Sequence, residues 1–237
     1  MNRTTILLLF LWASGGNAHG ESLLLENNGH SLFNGTDLTG WSGDPEIWSV
    51  EDGSITGSTN SKARLKHNTF LVWEGGMVKD FVLELEYRID AGNSGIQYRS
   101  HLDDPKRWIV GGYQADLEAG DKYSGILYEE RGRGILALRG QWVDIDGAGK
   151  RRVATVAETA DLQQTIKKNR WNTYKIEAIG PHLRHTINGQ VMSEVIDREE
   201  GKFRQSGILA LQVHVGPPMK VQFRNLLLRR IKVEPSP

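Results

Sequence analysis

Several runs of this 237-residue chain carry acids, amides or bases two residues apart, the spacing that puts side chains on one face of a β-strand. Gln114, Asp116 and Glu118 are spaced this way, as are Gln97 and Arg99, Gln212 and His214, and Glu84 and Glu86. The types suit proton transfer on a polar ligand. A carboxylate or a histidine, which titrates near neutral pH, can act as a base, and arginine can clamp hydroxyls or a carboxylate. Asp116 beside Gln114 is a stronger candidate than the Glu84/Glu86 pair, because the Gly and Tyr segment that follows it suggests a site rather than a packed surface. His214 competes with a structural role, and Gln212 on its face favours function. Arg99 and Arg131 have the alternative of pairing with nearby acids. Glu84 and Glu86 sit roughly 6–7 Å apart along one strand, within reach of glycosidase spacing, yet a solvated outer face accounts for them equally well.

Such side chains need strands to hold them. In Phe81–Ile89 the odd positions are apolar and the even ones polar after Val82; in Gly207–Val215, Leu209, Leu211, Val213 and Val215 share one face. Four polar-faced segments make a groove if they are neighbours in one sheet, and polar grooves bind polar ligands such as sugars. Phe70–Trp73, Trp171–Ile179 and Leu183–Ile187 read as further strands, and Ser31–Trp41 as a first strand ending in turns. Asp52-Gly53 and Asn188-Gly189 read as hairpin turns, since tight turns demand positive φ. Gly140–Lys168 is less regular, a long loop with a short helix near Glu158–Gln164 that could rim the groove. Helical periodicity is otherwise scarce, and no repeat or linker divides the chain, so a single all-β domain over 21–237 is expected.

Composition narrows the class. Lys plus Arg equals Asp plus Glu at 29 each, so no basic excess points to nucleic acid. Asn2-Arg3, an apolar run from Ile6 to Ala13 and the small residues Gly16-Asn17-Ala18 have the layout of a secretory signal peptide over 1–20, with an apolar run shorter than a membrane span needs; an uncleaved N-terminal anchor is the alternative. The expectation is a secreted or periplasmic protein with no membrane span after signal removal. The chain has no cysteine, hence no disulfide and no thiolate chemistry. No HExxH motif, GxSxG elbow or phosphate loop occurs, and Asp144-Ile145-Asp146-Gly147 departs from calcium-loop spacing. The sequence requires no cofactor and predicts no metal ligands, although a carboxylate-lined groove is compatible with a divalent cation. Oligomeric state is not legible.

In order and spacing these segments resemble the 3-keto-disaccharide hydrolase domain family, formerly a domain of unknown function. The resemblance runs through Ser31–Gly35 to Trp41, Trp48–Ile55, Phe81–Tyr87, Asn93–Arg99, Gly112–Asp116, Gly125–Tyr128, Trp171–Tyr174, Asn188-Gly189, Gly207–His214 and Phe223–Leu226. It implies a concanavalin A-like jelly-roll β-sandwich of two antiparallel sheets and an exported protein acting on carbohydrate. The implied reaction cleaves a glycoside whose C3 hydroxyl is already a ketone, by C2-proton abstraction, elimination of the C1 oxygen and hydration. The resemblance implies a groove of Asn93, Arg99, Gln114, Asp116, Tyr128, Gln212 and His214, and the chemistry of these side chains suggests His214 or Asp116 as base, Tyr128 as acid and Arg99 as charge near the enolate. Asn93, Gln114, Gln212 and Glu130 are read as substrate-binding residues. Two alternatives stay open: a non-catalytic, lectin-like carbohydrate-binding module, and ordinary hydrolysis by Glu84 and Glu86.

Overall fold

Alternation along Phe81–Ala91 seeds the larger sheet: Phe81, Leu83, Leu85, Tyr87 and Ile89 are buried, while Glu84, Glu86 and Arg88 are half-buried on the opposite face. The computed structural model describes residues 22–234 apart from 27 and 61–64, so the leader expected over 1–20 lies outside the described residues. On one flank of Phe81–Ala91 come Asn172–Ile179, His182–Ile187, Gln190–Asp197, Gln141–Ile145 and Arg151–Thr155. On the other come Lys220–Glu234, Ser54–Ser58 and Trp48–Glu51, with two short N-terminal strands also on Lys220–Glu234. All these pairings are antiparallel except Gln141–Ile145 with Gln190–Asp197.

The smaller sheet is antiparallel, in the order Gly134–Ala137, Leu127–Glu130, Ile109–Glu118, Asn93–Asp104, Ile208–Val213, Thr69–Trp73 and Trp41–Ser42. Its inner face meets the larger sheet through Ile96, Tyr98, Tyr113, Leu127 and Leu211, which join Leu83, Tyr87, Tyr174 and Phe223 in one core. Each fully buried Ile, Leu or Phe among them contributes about 1.5–3 kcal/mol by leaving water. This is the jelly-roll β-sandwich expected. The four polar-faced segments fall into the two sheets unequally, with only Glu84 and Glu86 on the larger one.

One buried polar contact ties the layers together. Tyr98 Oη lies 2.9 Å from His185 Nε2, and His185 Nδ1 lies 3.2 Å from the Ile126 carbonyl. A carbonyl only accepts, so Nδ1 carries the proton and Nε2 accepts from the tyrosine. Burial pushes the His185 pKa down to about 3, which keeps the ring neutral.

The hairpin turns form as read. Asp52-Gly53 has φ of 48° and 69°, and Asn188-Gly189 has 50° and 82°, the double left-handed geometry of a type I′ turn. Two expectations need correction. The Ser31–Trp41 strand shrinks to His30–Ser31 and Trp41–Ser42, because Asn34 Oδ1 accepts from the Thr36 and Asp37 backbone amides and bends the chain. Gly140–Lys168 does contain a short helix, Thr159–Gln164, but strands Gln141–Ile145 and Arg151–Thr155 extend the larger sheet and none of the segment lines the groove. Asp146 accepts from the Ala148 and Lys150 amides, an acidic turn rather than a cation loop.

Candidate functional site

The outer face of the smaller sheet holds the site. Gly95 lies opposite Asp116, Gln97 opposite Gln114, Gln114 opposite Tyr128, and Gly112 opposite Glu130. Ala210 lies opposite Gln97, which puts Gln212 on the same face. Four successive strands therefore project their polar parity into one place. The result is a pocket of about 630 Å³ lined by Asn93, Gln114, Asp116, Glu118, Tyr128 and Glu130, with His214 entering from beyond the end of Ile208–Val213.

A chain of hydrogen bonds sets the floor. Ser100 Oγ donates to Gln97 Oε1 (2.6 Å), and Gln97 Nε2 donates to Gln114 Oε1 (2.6 Å). Gln212 Nε2 donates to the same Gln114 oxygen (2.9 Å) and to Glu130 Oε2 (3.3 Å). Gln114 Nε2 then donates to Asp116 Oδ1 at 2.5 Å. Each amide orientation follows from its neighbour, so the carboxylate faces a donor held in place. Gly95 makes this possible. A Cβ there would lie 2.5 Å from Gln114 Cδ, so the glycine of Asn93-Ser94-Gly95 is a clearance for the side chain crossing it.

Burial pushes the Asp116 pKa up to about 7; the hydrogen bonds of Gln114 and Asn93 oppose the shift, and the charges of Glu130 and Glu118 add to it. Burial also raises Glu130, against hydrogen bonds from Asn68 and Gln212 and the nearby charge of His214. Asn68 Nδ2 donates to Glu130 Oε1 at 3.0 Å, while Asn68 Oδ1 accepts from the Val215 amide at 2.9 Å. Tyr128 is raised by burial and by Glu130 and Asp116, which keeps its hydroxyl protonated. His214 Nδ1 lies 2.5 Å from the Val215 carbonyl. That oxygen only accepts, so Nδ1 donates and Nε2 keeps its lone pair when the ring is neutral.

Residues 29–229 match the family described as the 3-keto-alpha-glucoside-1,2-lyase-like domain. The chain belongs to this family. Membership makes it a carbohydrate-related domain, in agreement with the resemblance carried by its motifs. No curated protein sequence matches it. Among solved structures, two proteins of Parabacteroides distasonis ATCC 8503 proposed as glycosyl hydrolases share its fold. One is 18% identical (TM-score 0.56) and covers 86% of this chain and 100% of its own; the other is 21% identical (TM-score 0.55), covering 86% and 94%. The carbohydrate-binding module CBM66 of Bacillus subtilis is 16% identical, covering 80% and 94%, with a TM-score of 0.52.

In this 3-keto-alpha-glucoside-1,2-lyase-like domain, Asn93, Gln114, Asp116, Tyr128, Glu130 and His214 line one pocket, and Gln212 lies beneath them. Arg99 does not join them. A bulge between Tyr98 and His101 interrupts the parity, and Arg99 itself has φ of +46°. Its guanidinium is fully buried elsewhere, donating to the carbonyls of Lys79 (2.7 Å) and Gly180 (2.6 Å) and pairing with Asp80 at 3.0 Å. Arg131 pairs with Asp103 at 2.6 Å. Glu84 and Glu86 face away from the site and pair with Arg229 (2.6 Å) and Arg224 (2.5 Å).

The sequence reading missed Asn68 and Tyr123 in the pocket wall. Asn68 shares the parity of Phe70 and Val72, so extending that strand two residues backwards would have found it. Tyr123 lies in a loop held by Glu118 Oε1, which accepts from the Lys122 (2.5 Å) and Tyr123 (2.6 Å) amides, and strand parity gives no signal there. Among the described residues no group of three or more His, Asp or Glu is arranged to hold a metal ion.

Proposed function

We propose that this chain cleaves a glycoside carrying a ketone at C3, with Asp116 as the base that removes the C2 proton. The observation that carries the reading is a carboxyl buried on a polar pocket floor, tuned to about 7 and oriented by the Gln114 amide. The ketone acidifies the adjacent C–H, and a base with a pKa near neutrality is matched to working pH. Removing the C2 proton leaves an enolate on the C3 oxygen. Its collapse restores the ketone, forms C1=C2 and breaks the C1–O bond. Tyr128, kept protonated, donates to the leaving oxygen, and His214 stabilises the enolate oxygen from Nε2 when its ring is charged. Water then adds across C1=C2, with its hydrogen at C2 and its hydroxyl at C1. Asn93, Gln114 and Glu130 hold sugar hydroxyls. The leader read over residues 1–20 completes the proposal of an exported, envelope or secreted activity.

A second reading, a module that binds sugar without cleaving it, is favoured by the amide-rich floor, whose neutral donors and acceptors suit hydroxyls as well as catalysis. One experiment separates them. Purified protein is incubated with a 3-keto-α-glucosyl disaccharide and with its unoxidised parent, and both are followed by mass spectrometry. The enzymatic reading expects cleavage of the keto sugar alone, lost in Asp116→Asn. No product above buffer, together with calorimetric binding of the unoxidised sugar that survives Asp116→Asn, would establish the binding module instead.

A further inference from the structure

The same sheet face that carries the polar pocket continues into a region of opposite character. On Ile109–Glu118 the parity of Asp116 and Gln114 runs through Gly112 to Val110; on Ile208–Val213 that of Gln212 runs back through Ala210 to Ile208. On Thr69–Trp73, Phe70 lies opposite Gln212 and Val72 opposite Ala210. Phe70, Val72, Val110 and Ala210 form a cluster separate from the main core, no more than 7% exposed although they lie on the outward side of the sheet. What covers them is Trp108, together with Ile208.

Trp108 is held over this face from three sides. It ends the turn that leads back into Ile109–Glu118, with φ of +48°. Its indole Nε1 donates to Ser42 Oγ at 3.1 Å, across the sheet at the edge strand Trp41–Ser42. Its carbonyl accepts from the Phe70 amide at 3.1 Å. An αL tryptophan is costly, and this one is kept there by contacts that fill the face. The pocket lining does not reach Trp108. The face is thus open and polar at its Asp116–Gln212 end and filled by an indole at its Val110–Val72 end.

We propose that Trp108 is a specificity-determining residue, a plug that closes the groove at one end and limits how many sugar rings fit beside Asp116. A pocket of about 630 Å³, within the roughly 300–1,000 Å³ of small-molecule sites, takes a short glycoside. Without the indole, the face beyond it offers Phe70 and Val72, an apolar platform on which another pyranose ring can lie. The proposal rests on the carbohydrate reading of the pocket but not on its catalytic step.

The test compares wild type, Trp108→Ala and Trp108→Leu on maltose, maltotriose and maltotetraose, by calorimetric binding and, for their terminally oxidised 3-keto forms, by turnover. Wild type is expected to gain nothing beyond the second ring. Trp108→Ala is expected to raise the affinity ratio of trisaccharide to disaccharide about tenfold. Trp108→Leu, which keeps an apolar cover and guards against a misfolded alanine variant, is expected to raise it less. An unchanged length profile in a folded variant overturns the plug while leaving a cleaved keto-disaccharide, and so the proposed function, intact. A shifted binding profile with no keto sugar cleaved does the reverse. Absence of binding and turnover by all three proteins overturns both.

Discussion

The two ends of one sheet face solve opposite problems. At the Val110–Val72 end, apolar side chains pointing out of the sandwich are removed from water by a tryptophan from the same chain. At the Asp116–Gln212 end, polar side chains are almost as deeply buried, with Gln97, Gln114 and Gln212 at most 2% exposed, and hydrogen bonds rather than packing tie them together, although Gln212 Oε1 has no partner among the described residues. The first arrangement loses stability when an atom is removed. The second stores electrostatic cost in Asp116, which desolvation holds near its protonated form. Stability and chemistry are therefore segregated on neighbouring stretches of the same strands.

The largest expected effect falls on the polar end. Asp116→Asn should lower turnover of a keto-glucoside by about 10²–10⁴-fold, the usual worth of a general base, measured under single-turnover conditions. The same variant should be more stable than wild type at pH 8. The Asp116 pKa is about 7 folded and near 4 unfolded, so below pH 4 both states are protonated and nothing is lost. As pH rises from about 4 to 7 only the unfolded state ionises, and the native state loses stability, by up to about 4 kcal/mol at 1.4 kcal/mol per unit. Thermal melts of wild type and variant should diverge across that window, and parallel curves would show that Asp116 is not perturbed.

At the apolar end, Phe70→Ala should cost about 3–5 kcal/mol of stability through the cavity it leaves, read from urea unfolding. The pH midpoint of turnover should stay near its wild-type value; a midpoint shift as large as that of a polar-end variant would abolish the contrast. Gly95→Ala probes the boundary of the polar network. The added methyl forces Gln114 off its line to Asp116, with an expected loss of about tenfold in kcat, since a misplaced supporting group is felt at the reacting atoms. Glu130→Gln should have the smallest effect. Removing a negative charge that raises Asp116 should move the rising limb of the pH–rate profile to lower pH by a fraction of a unit, and a shift to higher pH would contradict the assigned coupling.

Much of the polar end was legible because strand parity is strict. Phe81–Ala91 buries the residues its alternation predicts, Ile109–Glu118 and Ile208–Val213 send Tyr113, Ala115, Leu117, Leu209, Leu211 and Val213 into the main core, and the Asp-Gly and Asn-Gly turns close as their φ demands require. Arg99 was misplaced for the same reason. Parity holds only while pairing is regular, and the bulge after Tyr98 sends that guanidinium to Asp80 instead of to Gln97's partners. Trp108 and the Phe70 cluster were invisible as a unit. Phe70–Trp73 reads as an evenly apolar run, so nothing local distinguishes the side covered by the core from the side covered by a distant turn. Tyr123 owes its position to loop amides gathered by Glu118, information that no periodicity carries.

The one-way order of the floor amides also bears on the fate of hydrogen isotopes. Ser100, Gln97 and Gln114 pass hydrogen bonds toward Asp116, yet an amide side chain does not readily take up one proton and release another, so the chain is no conduit. In the proposed reaction, a hydron collected by Asp116 leaves toward the pocket mouth. In heavy water, then, a sugar labelled with protium at C2 should emerge from elimination and rehydration with part of that protium still in place, a memory that an acid open to bulk solvent would erase.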